Sequence, residues 1–224
     1  MKIKGVIFDM DGVLLDSEKY YVRFWSEAGK ACGYPFENKH ALAIRSMARP
    51  YAIERLKGFF GESFDYDMVR NKRIELMDEY VNENGIELKP YAEYILNYLK
   101  EKGYKTALAT ATPPARAERY LNKVGLYGYF DEIVTASMVK RGKPEPDIYE
   151  LAASKLGLNP ENCLAVEDSP NGALSALDAG CVTVIVPDMD TPEGEILSRV
   201  YKVADDLKEV VALIEKINEE SGRY

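Results

Sequence analysis

The sequence predicts an α/β protein with a doubly wound parallel sheet and a helical domain inserted after the first strand. Two observations lead to this fold class. Short apolar runs alternate with helical segments in the second half of the chain, which is typical of strand–helix–strand units. A long helical stretch separates the first apolar run from the second. Most of the runs are apolar throughout, as expected for strands covered on both faces.

Five strands are predicted from these runs, each short and rich in β-branched or apolar residues. They cover residues 4–9, 105–110, 131–136, 162–168 and 181–188. Helical segments separate the last four strands. Gly125 and Gly157 follow two of these helices and are expected as C′ glycines. Ser169 is expected to cap the third helix, with Pro170 at its first helical position.

The stretch between the first two strands has helical patterning and almost no strand signal. Ser17 is a candidate N-cap for its first helix, and the Asn84-Gly85 pair is a turn signal near its end. We therefore expect an inserted helical domain at 16–87 and a sheet domain made of 1–15 and 88–224.

The charge and hydropathy of the chain exclude several classes of function. Its 224 residues carry a net charge of −8, which disfavours binding to nucleic acid through the phosphates. No basic run favours a membrane surface, and no apolar stretch approaches the ~20 residues of a spanning helix. We expect neither a nucleic acid nor a membrane partner, and a monomer or weak dimer.

The cysteines and the single histidine give no sign of a zinc site. Cys32, Cys163 and Cys181 are scattered without a C-x-x-C pair, and a zinc site needs a cluster of soft ligands. They are expected to be packed thiols in a protein of the reducing cytoplasm. His40 has no visible partner in the sequence and is expected at the surface.

Polar residues follow the predicted strands where ligands bind to a doubly wound sheet, outside the carboxyl ends. The set consists of Asp9 and Asp11 after the first strand, Thr110, Ala111 and Thr112 after the second, Lys143 in a loop after the third, and Glu167 and Asp168 after the fourth. Carboxylates suit a hard cation such as Mg²⁺, whereas a lysine and a hydroxyl suit phosphate oxygens. Together they indicate phosphoryl transfer.

Each of these residues also has an ordinary structural interpretation. Asp9 and Asp11 could cap the turn that follows the strand, and Thr110 could be a β-branched strand residue. Lys143 could be a solvated surface lysine. Glu167 and its acidic neighbour could satisfy the dipole of the following helix. Their occurrence in order, each at the end of a predicted element, favours a common site.

Four motifs in order resemble the haloacid dehalogenase superfamily of phosphohydrolases. They are "DMDGVLLDS", Thr110 after a strand, Lys143 in "GKPEPDIY", and "EDSPNGALSALDAG". They are similar to the subgroup with a helical cap after the first strand, which includes sugar phosphatases and β-phosphoglucomutase. The resemblance implies a Rossmann-like core, with the cap placed over the active edge and hinges near Asp16-Ser17 and 85–89.

The resemblance also implies the role of each acid and a Mg²⁺ cofactor. Asp9 would be the nucleophile that forms an aspartyl-phosphate, and it would ligate the metal. Asp11 would be the general acid and base, with its backbone carbonyl on the metal. Asp168 would be a metal ligand, and Glu167 would bind the metal directly or through water. Halide leaving groups need no proton and the dehalogenase members lack the second acid, so Asp11 favours phosphate as the substrate group.

The resemblance also implies which residues bind the substrate. Thr110, Ala111, Thr112 and Lys143 would bind the transferred phosphate, with Thr110 and Lys143 also counted as catalytic. Arg49 and Lys72 stand near positions that contact the sugar phosphate in the mutase, on a loose alignment of the cap. They are expected substrate contacts.

Three functions follow from these residues. The first is a Mg²⁺-dependent phosphatase of a small phosphorylated metabolite such as a sugar phosphate. The second is a mutase similar to β-phosphoglucomutase, although Tyr21 stands where that enzyme carries a histidine. The third, a phosphorylated receiver module, would need an aspartate after the third strand, and "IVTASMV" has none.

Overall fold

The computed structural model describes residues 2–189 and 193–221, in which six parallel strands form one sheet. The strands are β1 (Gly5–Phe8), β2 (Lys105–Thr110), β3 (Glu132–Thr135), β4 (Cys163–Glu167), β5 (Val182–Ile185) and β6 (Lys202–Val203). Their order is β3-β2-β1-β4-β5-β6. The order reverses beside β1, so the carboxyl ends of β1, β2 and β4 meet at the crevice where such sheets bind ligands. The predicted α/β fold class is confirmed.

The residues of each central strand alternate between two apolar layers. Val6 and Phe8 pack in one layer, while Ile7 packs in the other. The helices around the sheet are α5 (Ala92–Lys102), α6 (Pro114–Lys123), α7 (Asp147–Lys155), α8 (Pro170–Asp178), α9 (Ile196–Arg199) and α10 (Leu207–Ser221). Since both faces are covered, the strands are apolar throughout rather than alternating with polar residues.

Four helices lie between β1 and α5. They are α1 (Glu18–Ala31), α2 (Asn38–Leu42), α3 (Arg49–Phe60) and α4 (Tyr66–Asn84), and we call them the helical insert. The insert has an apolar cluster of its own, which includes Trp25, Phe36 and Leu56. Phe24 and Met77 of the same helices instead pack with the sheet cluster.

Two chain segments join the helical insert to the sheet and run side by side. Asp16 N donates to Glu87 O at 2.9 Å, and Lys89 N donates to Leu14 O at 2.9 Å. Lys19 Nζ lies 2.5 Å from a carboxylate oxygen of both Asp16 and Glu87. The segments where hinges were expected are therefore paired with each other.

Several predicted helix ends are confirmed. Gly125 and Gly157 follow α6 and α7 with φ of 75° and 66°, the left-handed region that glycine adopts without steric cost. Ser169 Oγ accepts a hydrogen bond from Gly172 N at 3.1 Å, and α8 begins at Pro170 as expected.

The structure corrects two expectations and adds elements that the sequence did not predict. His40 is buried rather than at the surface, because its ring packs against Phe60 and its Nδ1 accepts a hydrogen bond from Glu37 N at 2.9 Å. Ser17 precedes α1 but does not cap it with its side chain, since the hydroxyl bonds elsewhere. β6 and α10 lie beyond the last predicted strand and were not predicted at all.

Within the described residues, none of the helices combines the length and the apolar character that crossing a membrane would require.

Candidate active site

Lys143 contacts both Asp9, the nucleophile predicted after β1, and Glu167, the last residue of β4. The side chain is 1% exposed and comes from the loop between β3 and α7. Its Nζ donates to Asp9 Oδ1 at 2.6 Å, to Ala109 O at 2.9 Å and to Glu167 Oε1 at 2.5 Å. An ammonium group has three N–H donors, so each of them has an acceptor in the protein. Lys143 therefore orients the Asp9 carboxylate as well as neutralising it.

The Asp11 carboxylate is held by two hydroxyl groups. Ser17 Oγ donates to Asp11 Oδ1 at 2.6 Å, and Thr112 Oγ1 donates to Asp11 Oδ2 at 2.8 Å. Tyr21 OH lies 3.5 Å from Thr112 Oγ1 and extends this chain of hydroxyls into the helical insert. Asp11 therefore has an environment distinct from that of Asp9, although only one residue separates them.

Three buried carboxylates form a cluster that could hold a metal ion. Asp9, Glu167 and Asp168 each offer one oxygen, and these oxygens lie within 4.8 Å of one another. Neither side-chain oxygen of Asp168 has a hydrogen-bond partner among the described residues, although Arg45 Nη2 lies 3.2 Å from its Oδ2. Gly12 borders the same oxygen, and a Cβ there would lie 2.1 Å from it. Buried carboxylate oxygens without donors are what a divalent cation would satisfy.

Burial raises the pKa values of the acids around this cluster. It raises the pKa of Asp9 to about 7, against the opposing effect of the Lys143 ammonium. Burial likewise raises the pKa of Glu18 to about 8, with Arg45 opposing it. The pKa of Asp168 is also raised by burial. Ionising these groups together is therefore costly, and a bound cation would offset that cost.

The metal-free protein is expected to lose stability as the pH rises, and Mg²⁺ to restore it. The folded-state pKa values of Asp9 and Glu18, about 7 and about 8, lie above their ordinary values of 3.8 and 4.5. Their contribution is therefore complete below about pH 4 and is lost through about pH 8. Since Mg²⁺ needs ionised ligands, it should raise the melting temperature more at about pH 8 than at about pH 6.

Thermal unfolding in a chelator and in Mg²⁺, at both pH values, measures this effect. The variant Asp168→Asn serves as the control, because it should lose most of the Mg²⁺-dependent shift. An equal shift at the two pH values would show that these carboxylates do not hold the ion.

A cavity of about 670 Å³ lies between the helical insert and this edge of the sheet. Asp9, Asp11 and Thr110 line it from the sheet side, and Tyr21 and Trp25 line it from the insert. Cationic side chains also line it, namely Arg45, Arg49, Arg70, Arg73, Arg116, Lys140 and Arg141. This volume and charge suit a small anionic molecule with one end against the acids.

The structure places the residues expected to bind substrate in different surroundings. Thr110 is fully buried and its Oγ1 accepts a hydrogen bond from Thr112 N at 3.0 Å, which leaves the hydroxyl proton able to donate. Ala111 lines the cavity beside it. Arg49 also lines the cavity, but its Nη2 pairs with Asp67 at 2.5 Å.

Lys72 lies away from the cavity. Its Nζ pairs with Glu75 at 3.0 Å in a separate shallow depression that Cys32 also lines. The next residue, Arg73, is 6% exposed, lines the cavity and stacks over the rings of Tyr21 and Trp25 at 5.0 and 5.3 Å. The structure therefore brings Arg73, and not Lys72, to the site.

Other residues at the site escaped the sequence analysis. In the sequence Ser17 fits an ordinary helix cap, and no pattern singles out Glu18 or Arg45. Tyr149 OH donates to Glu167 Oε1 at 2.5 Å. It lies in the quoted motif "GKPEPDIY", but there it reads as an ordinary core residue of α7.

The chain resembles known proteins over almost its whole length. The family model of the haloacid dehalogenase-like hydrolases matches residues 3–180. Hexitol phosphatase A of Escherichia coli is 36% identical over 214 residues, which cover 94% of each chain. The phosphorylated carbohydrates phosphatase of Thermotoga maritima is 31% identical over 217 residues, covering 95% of this chain and 91% of its own.

A solved structure has the same fold. The β-phosphoglucomutase of Clostridium difficile superimposes with a TM-score of 0.82 at 26% identity, over 99% of this chain and all of that one. The overall fold of this chain is thus shared with a solved structure. The chain therefore belongs to the haloacid dehalogenase-like hydrolases, and it is an enzyme.

Proposed function

We propose that this hydrolase is a Mg²⁺-dependent phosphatase of a small phosphorylated carbohydrate, acting through an aspartyl-phosphate on Asp9. The observation that carries the proposal is the buried Lys143–Asp9 pair at 2.6 Å at the edge where the cavity meets the sheet. It presents an oriented carboxylate to the cavity, while Asp11 stands two residues on as a separate acid. The phosphatases among the relatives support the same reaction class.

In the first step, an oxygen of Asp9 attacks phosphorus and the bond from phosphorus to the leaving alkoxide breaks. Asp11 gives its proton to that alkoxide, and burial raises the pKa of Asp11, which favours the protonated form that a general acid needs. In the second step, water attacks the phosphorus of the aspartyl-phosphate and gives its proton to Asp11. The bond to Asp9 breaks, and inorganic phosphate leaves.

Asp9, Asp168 and the backbone carbonyl of Asp11 are the residues that would hold Mg²⁺. When bound, the ion would offset the repulsion between the Asp9 carboxylate and the substrate phosphate. Asp168 supports this assignment, because neither of its buried side-chain oxygens accepts a hydrogen bond from the described residues, although Oδ2 forms an ion pair with Arg45. The Thr110 hydroxyl would donate to the phosphate, while the charge of Lys143 would act on it across Asp9.

The helical insert, with the boundaries 16–87, would act as a cap that selects the substrate and excludes water. Three hydrogen bonds join the loop before α3 to the sheet side. Arg45 Nη2 donates to Asp168 O at 2.8 Å, Asn171 Nδ2 donates to Arg45 O at 2.9 Å, and Ala48 N donates to Lys143 O at 2.8 Å. They support closure of the cap directly onto the catalytic loops.

The cavity walls support a phosphorylated carbohydrate as substrate. Arg73 and Arg45 can bind phosphate or hydroxyl oxygens, and the phenols of Tyr21 and Tyr66 can bind hydroxyls. The relatives named for hexitols and phosphorylated carbohydrates support this class.

A mutase is the second candidate, favoured by the structural likeness to β-phosphoglucomutase. By the family resemblance, Tyr21 corresponds to the position at which the mutase carries its histidine. Burial raises the pKa of the Tyr21 phenol well above its ordinary value, so it cannot exchange protons as an imidazole does near neutral pH. This difference favours transfer of the phosphoryl group to water.

A substrate panel tests the two candidates. The purified protein with Mg²⁺ is incubated with hexitol phosphates, other sugar phosphates and β-glucose 1-phosphate, and both free phosphate and isomerised sugar phosphate are measured. We expect phosphate release from at least one carbohydrate phosphate. Isomer without phosphate release would establish the mutase instead. Neither product, with aryl phosphates also inert, would overturn the proposed function.

A further inference from the structure

Tyr149 places a buried hydroxyl next to the catalytic acids. The side chain belongs to α7 and is fully buried in the apolar layer that covers one face of the sheet. Its hydroxyl donates to Glu167 Oε1 at 2.5 Å. Apolar packing alone would be served equally well by phenylalanine, whereas burying a hydroxyl is costly unless it bonds. Apolar packing therefore does not explain why this position carries a tyrosine.

The Glu167 carboxylate is enclosed by this hydroxyl and by three other contacts. Oε1 also accepts from Lys143 Nζ at 2.5 Å, and Asp168 N lies 3.3 Å from Oε2. The first turn of α8 closes the remaining side, since a Cβ on Gly172 would lie 2.1 to 2.2 Å from the carboxylate atoms. Two charge-assisted bonds on one oxygen and a backbone contact on the other hold the carboxylate in one orientation.

That orientation directs Glu167 to Lys143. The Lys143 ammonium uses its three donors on Asp9, Ala109 and Glu167, so the position of Glu167 decides where the ammonium sits relative to Asp9. If Glu167 turned away, Lys143 would follow it or lose a bond, and the carboxylate of Asp9 would lose its fixed direction.

We propose that Tyr149 is a positioning residue that keeps Glu167 bound to Lys143, so that Glu167 meets Mg²⁺ only through water. The inference rests on the proposed function, since it concerns how Asp9 is held for attack. It divides the acids of the cluster into two roles. Asp9 and Asp168 face the ion, and Glu167 anchors the lysine that orients Asp9.

The variant Tyr149→Phe removes the hydroxyl and retains the ring. We expect kcat to fall about ten-fold, in the range found when a supporting partner of a site is removed. Isothermal titration with Mg²⁺ alone should give a dissociation constant within about two-fold of the wild-type value. Inorganic phosphate, titrated in the presence of Mg²⁺, should bind about ten-fold more weakly because Lys143 is no longer held.

The matched control is Tyr120→Phe. Tyr120 is also fully buried, but its hydroxyl makes no hydrogen bond to a carboxylate of the site among the described residues. It should retain the wild-type kcat and both affinities. A comparable fall in kcat in Tyr120→Phe would mean that any disturbance of the core has the same effect, which would overturn the positioning role.

Two other results would overturn the inference. Wild-type kcat in Tyr149→Phe would show that the hydroxyl does not position the site. Mg²⁺ binding weakened more than about five-fold would show that the hydroxyl supports the metal site and not Lys143 alone. If Tyr149→Phe fails to fold, Glu167→Gln, which weakens the same bond to Lys143, should lower the affinity for inorganic phosphate about ten-fold at saturating Mg²⁺. The titrations need no turnover, so they test Tyr149 even if the phosphatase assay fails.

Discussion

Asp9→Asn is expected to lower the rate of phosphate release by about 10⁵-fold, because it removes the oxygen that attacks phosphorus. The substitution keeps the volume and the neighbours of the side chain, and an amide can still accept the Lys143 hydrogen bond. KM should change little, since Asp9 binds the transferred group and not the carbohydrate. Steady-state kinetics on the best substrate from the panel measure both values.

Two further measurements separate loss of the nucleophile from loss of the fold. Asp178→Asn, in a surface pair with Arg199 on α8 and α9, should retain full activity. Acid quenching of the wild-type enzyme during turnover should trap a phosphorylated protein that is absent from Asp9→Asn. If Asp9→Asn is folded and its activity is within about ten-fold of wild type, another group must attack phosphorus.

Lys143→Met is expected to have two large effects, one on catalysis and one on stability. The first is a fall in kcat of about 10³-fold, as for loss of a fixed charge that acts on the transition state. The second is a loss of about 3–5 kcal/mol in the free energy of unfolding of the metal-free protein, because Asp9 and Glu167 lose a buried cation at 2.6 and 2.5 Å.

The size of the stability loss depends on pH. Without Lys143, the carboxylates can take up protons at low pH, so the loss should be smaller at about pH 5 than at about pH 8. Lys155→Met is the control, since Lys155 forms a half-exposed pair with Glu132 at 2.9 Å and should cost about 0–1 kcal/mol. Urea unfolding in a chelator measures both variants, and a loss as small as that of Lys155→Met would contradict the structural role of Lys143.

The fold was largely predictable because its signals are local. An apolar run followed by Asp9, or a helix that ends at Gly125, can be read within a few residues, and five strands were located in this way. β6 was not, because its two residues, Lys202 and Val203, carry no periodicity. Its pairing depends on the edge that β5 presents, and a neighbouring strand is not visible in a local pattern.

The chemistry at the strand ends could also be anticipated from sequence alone. Asp9, Asp11, Thr110 and Lys143 are polar residues placed where apolar elements stop, and parallel strands must bring their carboxyl ends to one edge. The tertiary structure decided how these groups divide the work. In the folded protein, the Lys143 ammonium has three acceptors. The Asp11 carboxylate instead accepts hydrogen bonds from two hydroxyl groups, apart from the carboxylate cluster that could hold a metal ion.

Lys72 and Arg73 mark the limit of what sequence alone determines. The sequence shows that α4 carries cationic residues. Adjacent residues of a helix point about 100° apart, so only one of Lys72 and Arg73 can face the cavity. Which of them faces the cavity depends on the orientation of α4 about its axis against α1. In the structure, Arg73 stacks over the rings of Tyr21 and Trp25 of α1. Tyr149 is a similar case. From sequence alone, a tyrosine on an apolar helix face is interpreted as a core residue, and only the tertiary structure shows that its hydroxyl contacts Glu167.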